Sequence, residues 1–185
     1  MRRLCFSFAL LLLLASTSLA EVSWAFHPSV IGPDGPTSAY VTATIDSRQV
    51  RYVPPLKWRI GKTRFTPENK AEADAFLEAA PSPGDIPWTD ARAKLARAFV
   101  LSRLIPGGAT NVTVLSESLN PLTLFRRGTY EICLSYTRYG QEFAESIFFA
   151  EHGKTELQFH FGCLKKDFPD LHAQFIMSLS AFGDL

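Results

Sequence analysis

The segment 129-TYEICLSYTRYGQEFAESIFFAEHGKTELQFHFGCLKKDFPDLHAQFIMSLSAF-182 decides the fold class. Its first part alternates: Tyr130, Ile132, Leu134 and Tyr136 are apolar, with Glu131, Cys133, Ser135 and Thr137 between them. Successive side chains of a strand point to opposite faces, so this pattern predicts a strand with one face buried. Phe143, Glu145, Ile147 and Phe149 predict a second strand, and Leu157, Phe159 and Phe161 a third. Gly140 and Gly153 stand at hairpin-sized links between them. At Phe168 the period changes. Phe168, Leu171, His172, Phe175, Leu179 and Phe182 recur at three- and four-residue steps, as on one helix face. The segment is therefore a meander with a closing helix, and it contains no recognisable catalytic motif.

Working upstream, Leu122 to Phe125 predicts a short extended piece, Asn120-Pro121 a turn, and Asn111 to Ser118 a strand. Pro106-Gly107-Gly108 stops a helix that Thr89 caps and that runs to Ile105. Its apolar-to-small stripe is Ala91, Leu95, Ala98, Phe99 and Ser102, with Arg92, Arg97 and Arg103 pointing elsewhere. Pro81-Ser82-Pro83-Gly84 closes Glu68 to Ala80, whose composition favours helix but whose apolar face is thin. Lys57 to Phe65 predicts two extended pieces hinged at Gly61, with Trp58 and Ile60 facing one way and Lys57 and Arg59 the other. Tyr40 to Ile45 and Gln49 to Val53 predict a hairpin turning at Asp46-Ser47 and ended by Pro54-Pro55. Ile31 to Pro36 is dense in turn residues and predicts no regular structure, and Trp24 and Phe26 are anchors in a lead-in. Two helices and seven or eight strands make the class α+β: a mainly antiparallel sheet with a mid-chain helix and a C-terminal helix packed on it.

The first twenty residues predict a removable signal peptide. Arg2 and Arg3 precede the apolar run Leu4 to Leu14, and Ser18-Leu19-Ala20 offers a small-x-small cleavage site before Glu21. The competing reading is an N-terminal anchor, for which the run is short against the roughly 20 residues a span needs. Residues 21–185 then form a single α+β domain, secreted or periplasmic, with no transmembrane segment. Losing Arg2 and Arg3 takes the 19 basic residues to 17 against 18 acids, so no global basic excess suggests a nucleic-acid partner. Cys133 and Cys163 are the two cysteines outside the leader. One strand separates them in a meander, which puts their Cα atoms about 10 Å apart, beyond bridging distance. Their faces also differ on the alternation, so two buried free thiols are expected, with a Cys133–Cys163 disulfide in an export compartment as the alternative.

Pro54-Pro55-Leu56-Lys57-Trp58, the strand ending in Phe65-Thr66-Pro67, the three-strand meander and the Phe168…Phe175…Ser178 helix resemble the PsbP-like fold. Uncharacterised exported bacterial proteins with a Pro-Pro-x-x-Trp segment share this order. The resemblance covers roughly residues 51–182 and implies a strand, not a helix, at Ala73 to Glu78. It also implies an accessory or binding role: members include a photosystem II extrinsic subunit, a nuclear Ran-binding factor and envelope proteins. No ion- or partner-binding residue of those proteins transfers by position, and the hairpin of residues 39–53 lies outside the pattern.

No Gly-x-Ser-x-Gly elbow and no activated cysteine suggests nucleophilic catalysis. His152 and His160, with Glu151 and Glu156 near, have no standard metal-ligand spacing. His160 is expected to face solvent or a covering helix, and His172 to be a hydrogen-bonded core histidine. No catalytic residue, metal or cofactor is implied, and no convergent set of titratable groups is visible. Asn111-Val112-Thr113 is a glycosylation sequon. Arg48, Arg51, Lys57, Arg59, Lys62 and Arg64 fall in a stretch without acids, with Trp58 among them, and form the candidate binding patch. An envelope protein or an anionic polymer or lipid would suit it. The expectation is an exported, non-enzymatic binding module. Its alternative is a carrier of a small apolar ligand in a pocket between sheet and helices.

Overall fold

The strands read from residues 130–161 form the centre of a seven-stranded antiparallel sheet. The structure, a computed structural model, describes residues 23–28, 31–32, 35–36, 40–45, 47–61, 64–82 and 86–184. The expected leader, Asp46 and Pro83-Gly84 lie outside the described residues. In chain order the strands are β1 (Ser23–His27), β2 (Ile31–Gly32), β3 (Gly35–Pro36), β4 (Tyr40–Ile45), β5 (Arg48–Tyr52), β6 (Trp58–Ile60), β7 (Arg64–Pro67) and β8 (Asp74–Pro81). Helix α1 (Asp90–Phe99) runs into a π-helical turn (Val100–Leu104). Then come β9 (Thr110–Leu124), β10 (Arg127–Arg138), β11 (Gln141–His152), β12 (Thr155–Leu164), α2 (Phe168–Leu179) and β13 (Gly183–Asp184). The class is α+β as expected, although the described residues hold thirteen strands where seven or eight were read.

The large sheet has the order β6-β7-β8-β12-β11-β10-β9, and a smaller one the order β1-β4-β5-β13. Within the stretch read as irregular, β2 and β3 pair antiparallel, Ile31 with Pro36 and Gly32 with Gly35. Hairpin geometry is local where the sequence signals it. Tyr139 and Gly140 both have positive φ, which matches the right-handed twist of β10 and β11. The β9–β10 link does the same with Phe125 and Arg126, neither of them glycine. The sequence therefore reads there as a separate extended piece. Asn120-Pro121 does not end the strand: β9 continues through it as an edge strand with a bulge at Asn120, whose φ is positive, and the missing proline N–H needs no partner there. Register shifts between Gly128 and Tyr130 absorb the irregularity, and a Cβ on Gly128 would lie 2.0 Å from Asn120 Oδ1.

Strand β10 is not half-buried; both of its faces are covered. Tyr130, Ile132 and Leu134 pack with Ile147, Phe149, Trp88 and α1. Glu131, Cys133 and Ser135 lie on the opposite face, with Phe148, Phe159 and Phe161, under α2. Cys133 pairs with Ser146 and Ser146 with Phe161, while Ala144 pairs with Cys163. Both cysteines thus share one face, contrary to the reading from alternation. A strand still separates them, and both thiols are free and buried.

The α2 side is one continuous aromatic core. Phe161 stacks on Phe168 and Phe175, and Phe182 meets Phe159 and Phe125 edge-on. The residue 39–53 hairpin, which the sequence leaves unplaced, closes this core from the small sheet through Val41, Ile45, Val50 and Tyr52. Tyr52 is tied to α2 by a 2.8 Å hydrogen bond with Ser178. In the lead-in, Phe26 is exposed and anchors nothing there. Residues 74–81 are a strand, as the resemblance implies. Among the described residues no helix is long and apolar enough to cross a membrane.

Helix α1 starts at its expected cap, with the Thr89 hydroxyl accepting from the Arg92 N–H. Its buried face is not the expected one. Leu95 is 73% exposed and Phe99 43%, while Ala93 and Val100 are buried. The reason is electrostatic. Arg92 turns inward, with Nη2 2.6 Å from Glu151 Oε1 and 3.1 Å from Glu156 Oε2. Ser82 and Arg127 complete the shell around Glu151, and the Arg92 guanidinium lies 3.9 Å from the Trp88 ring centre. A carboxylate as buried as Glu151 needs that partner, and this sets the rotation of the helix. The π turn then shifts the phase of the residues after Phe99.

Candidate functional site

The structure divides the basic stretch between two sheets. Arg48 and Arg51 are exposed on β5 of the small sheet, with Arg51 over the Tyr40 ring. Lys57 is exposed in the turn before β6 at positive φ. Trp58 belongs to the core, tilted against Phe161, and is not a surface contact. Lys62 lies outside the described residues. Arg59 and Arg64 stay together. Arg59 pairs with Thr66, two residues from Arg64, so both exposed arginines project from the α1 face of the large sheet. Arg64 is also ion-paired with Asp74 across the strands, a partner the acid-free stretch does not reveal.

Beside Arg64 the α1 face opens into a cleft of about 380 Å³. Arg103, Leu104 and Pro106, at the end of the π turn, line one side of it, and residues of β8 and β12 the other. Arg64, Phe76 and His160 are cross-strand neighbours in register. They stack: the Arg64 guanidinium is 4.6 Å from the Phe76 ring centre, and the His160 ring lies 4.5 Å away at 4°. His160 is therefore on the face opposite Phe159 and Phe161, as alternation requires, but it is buried. Its Nδ1 is 3.5 Å from Glu145 Oε1. Its Nε2 is 3.9 Å from Glu78 Oε2, too far for a hydrogen bond, and is buried without one. Arg103, Tyr136 and Arg138 complete the polar wall. Burial, with the Glu145 carboxylate second, pushes the Tyr136 phenol up to about 12, so it remains a neutral donor. Arg138 Nε is also buried without a hydrogen-bond partner. Titratable groups do converge here. Local sequence cannot show it, because they come from β7, β8, the π turn, β10, β11 and β12.

A second polar group sits under α2. His172 Nε2 donates to Glu131 Oε1 at 2.6 Å, so His172 is hydrogen-bonded as the sequence suggests, but it is half-buried and not in the core. Ser146 Oγ donates to the same oxygen at 2.6 Å, and Cys133 Sγ lies 3.6 Å from it. Burial alone would raise the Glu131 carboxyl; the His172 and Ser146 hydrogen bonds outweigh it and hold the group below its ordinary value. Burial and the neighbouring Glu131 carboxylate push the Cys133 thiol up to about 12, the reverse of an activated nucleophile. His152 is buried against Phe125, away from His160 in the sheet. The Asn111 sequon lies on the exposed edge strand β9.

Neither a protein-family model nor a curated protein matches the chain. Among solved structures the chain is similar to the solution structure of cyanobacterial PsbP (CyanoP) from Synechocystis sp. PCC 6803. The TM-score is 0.51 at 8% identity, over 74% of this chain and 86% of that one. It is also similar to PA94 from Pseudomonas aeruginosa, a protein of unknown function described as a putative regulator. There the TM-score is 0.46 at 11% identity, over 85% of this chain and 94% of the other. The fold is PsbP-like.

Proposed function

We propose that this chain is an exported, non-enzymatic binding module that engages an anionic group of a partner through the α1-face cleft and the flanking Arg59 and Arg64. The observation that carries the reading is the buried Arg138 Nε–H, which has no protein acceptor, on a cleft wall it shares with Arg64 and Arg103. Buried polar groups normally find a partner, and an unsatisfied guanidinium N–H invites a carboxylate or phosphate oxygen. The two flanking arginines are exposed and add attraction from outside, Arg59 from the neighbouring strand and Arg64 while also paired with Asp74. An accessory role is also what the PsbP-like fold suggests by analogy. The carrier alternative needs space between sheet and helix, but on the α2 side the phenylalanines fill it by packing on one another.

The test is a crosslinking pull-down of the protein from an envelope extract of its own cell, at low and raised salt. An Arg59→Glu/Arg64→Glu variant runs beside it. One dominant partner, captured by the unaltered protein and lost both on reversal and at high salt, is the expected result. Capture indifferent to the reversal would remove the cleft from the function.

A further inference from the structure

We infer that Glu131, Cys133 and His172 form a binding site for one divalent metal ion of the zinc type, between the sheet and α2. Glu131 and Cys133 are two residues apart on β10 and so share a face, and His172 comes down on them from α2. Their ligand atoms all lie within 4.8 Å of one another. Zinc bonds of about 2.0–2.3 Å in a tetrahedron hold such atoms roughly 3.3–3.5 Å apart. Here Cys133 Sγ is 3.6 Å from Glu131 Oε1 and 3.9 Å from His172 Nε2, close to that spacing. Only the 2.6 Å Glu131–His172 hydrogen bond has to open, and the ion takes the place of its proton.

The arrangement argues against the other familiar use of these residue types. A nucleophile–histidine–carboxylate relay places thiol and carboxylate on different ring nitrogens. Here both approach Nε2, so the three groups converge on a point. The donor set selects among ions: thiolate, imidazole and carboxylate suit zinc and not the all-oxygen shells of calcium or magnesium. Charge favours the site as well. A carboxylate, a thiolate and a neutral imidazole cancel a doubly charged ion, leaving a neutral centre that a buried position tolerates. Uptake releases the Cys133 proton, and the proton that His172 donates from Nε2 is exchanged to Nδ1, so that the ring stays neutral and Nε2 is free for the ion. An outer shell is in place: Ser146 holds Glu131, and the Phe168 ring stacks on His172 at 4.7 Å. The His172 side chain is 22% exposed, which gives a way in. Three protein ligands leave the fourth position to water or to a group from a partner.

The experiment strips the isolated protein with a chelator and titrates it with Co²⁺ and then Zn²⁺. One Co²⁺ per chain should bind with a thiolate-to-cobalt charge-transfer band, and Zn²⁺ should bleach it. Cys133→Ser should abolish the band, and His172→Gln, at the more exposed ligand, should weaken Zn²⁺ binding by more than about 100-fold. Ser146→Ala, an outer-shell change, should cost about 10- to 100-fold. Absence of the band in the unaltered protein would overturn the site, leaving only a hydrogen-bonded cluster. So would equal Zn²⁺ affinity in a folded Cys133→Ser or His172→Gln variant.

Discussion

On one face of the large sheet α2 lies on a run of aromatic rings; on the other, α1 is held by a guanidinium among carboxylates. The aromatic face is sealed. Phe161, Phe168, Phe175 and Phe182 fill it, and the small sheet closes its far side. The α1 face is covered only as far as the helix and its π turn reach, and the polar cleft opens beside Pro106. Apolar burial is non-directional, so any well-shaped set of rings completes a layer. An ion pair fixes one orientation and leaves the remainder of the face undetermined. The comparison explains why the open cleft is on the α1 side, while the polar trio on the α2 side reaches the surface only along His172.

Truncation on the sealed face should have the largest effect. Phe175→Ala removes a ring that is 2% exposed and should destabilise the protein by about 3–5 kcal/mol, read from urea unfolding. A shift below about 1 kcal/mol would mean that the face repacks freely, unlike a close-packed core. On the other face, Arg92→Ala should cost about 3 kcal/mol, the lower part of the range for orphaning a buried charge, because Arg127 and Ser82 stay on Glu151. An unchanged unfolding midpoint would show that α1 is held by its apolar contacts alone.

The smallest effect is alkaline and draws on both faces. Burial, and then the Asp167 carboxylate, pushes the Cys163 thiol on the α2 side up to about 12; the Tyr136 phenol on the α1 side is raised similarly. Above the ordinary values of 9.0 and 10.0 the unfolded chain loses these protons while the native chain keeps them. Their contribution is complete below pH 9 and is lost as pH rises toward about 12. The thermal midpoint should therefore fall over that window. Cys163→Ala and Tyr136→Phe should each flatten part of the fall, and an unaltered slope in both would assign it to other groups.

The meander, its Gly140 and Gly153 turns, the Thr89 cap and the α2 stripe were legible because each is written in neighbouring residues. The rotation of α1 was not. Leu95 and Phe99 look like a core stripe until Glu151 and Glu156, far along the chain, claim Arg92. Strand β9 was misread at Asn120-Pro121 because a turn-rich pair is tolerated on a sheet edge. Trp58, placed among the binding residues for its basic neighbours, is held in the core by Phe161. The cleft was invisible for the same reason as the rotation of α1: its groups meet only across strands.

Alternation and helical period by themselves determined an α+β chain with an antiparallel meander and a closing helix, since both are local consequences of backbone geometry. The same strand count favoured free thiols at Cys133 and Cys163, and the structure has both free. Only the tertiary structure decided what covers each face, because β10 looks half-buried until α2 is laid over Glu131 and Cys133. That covering brings His172 to residues 39 and 41 positions earlier, and no spacing rule anticipates a contact whose length is set by two intervening strands. Side-chain chemistry is written along the chain, but convergence of that chemistry depends on strand register and helix rotation, which non-local packing fixes.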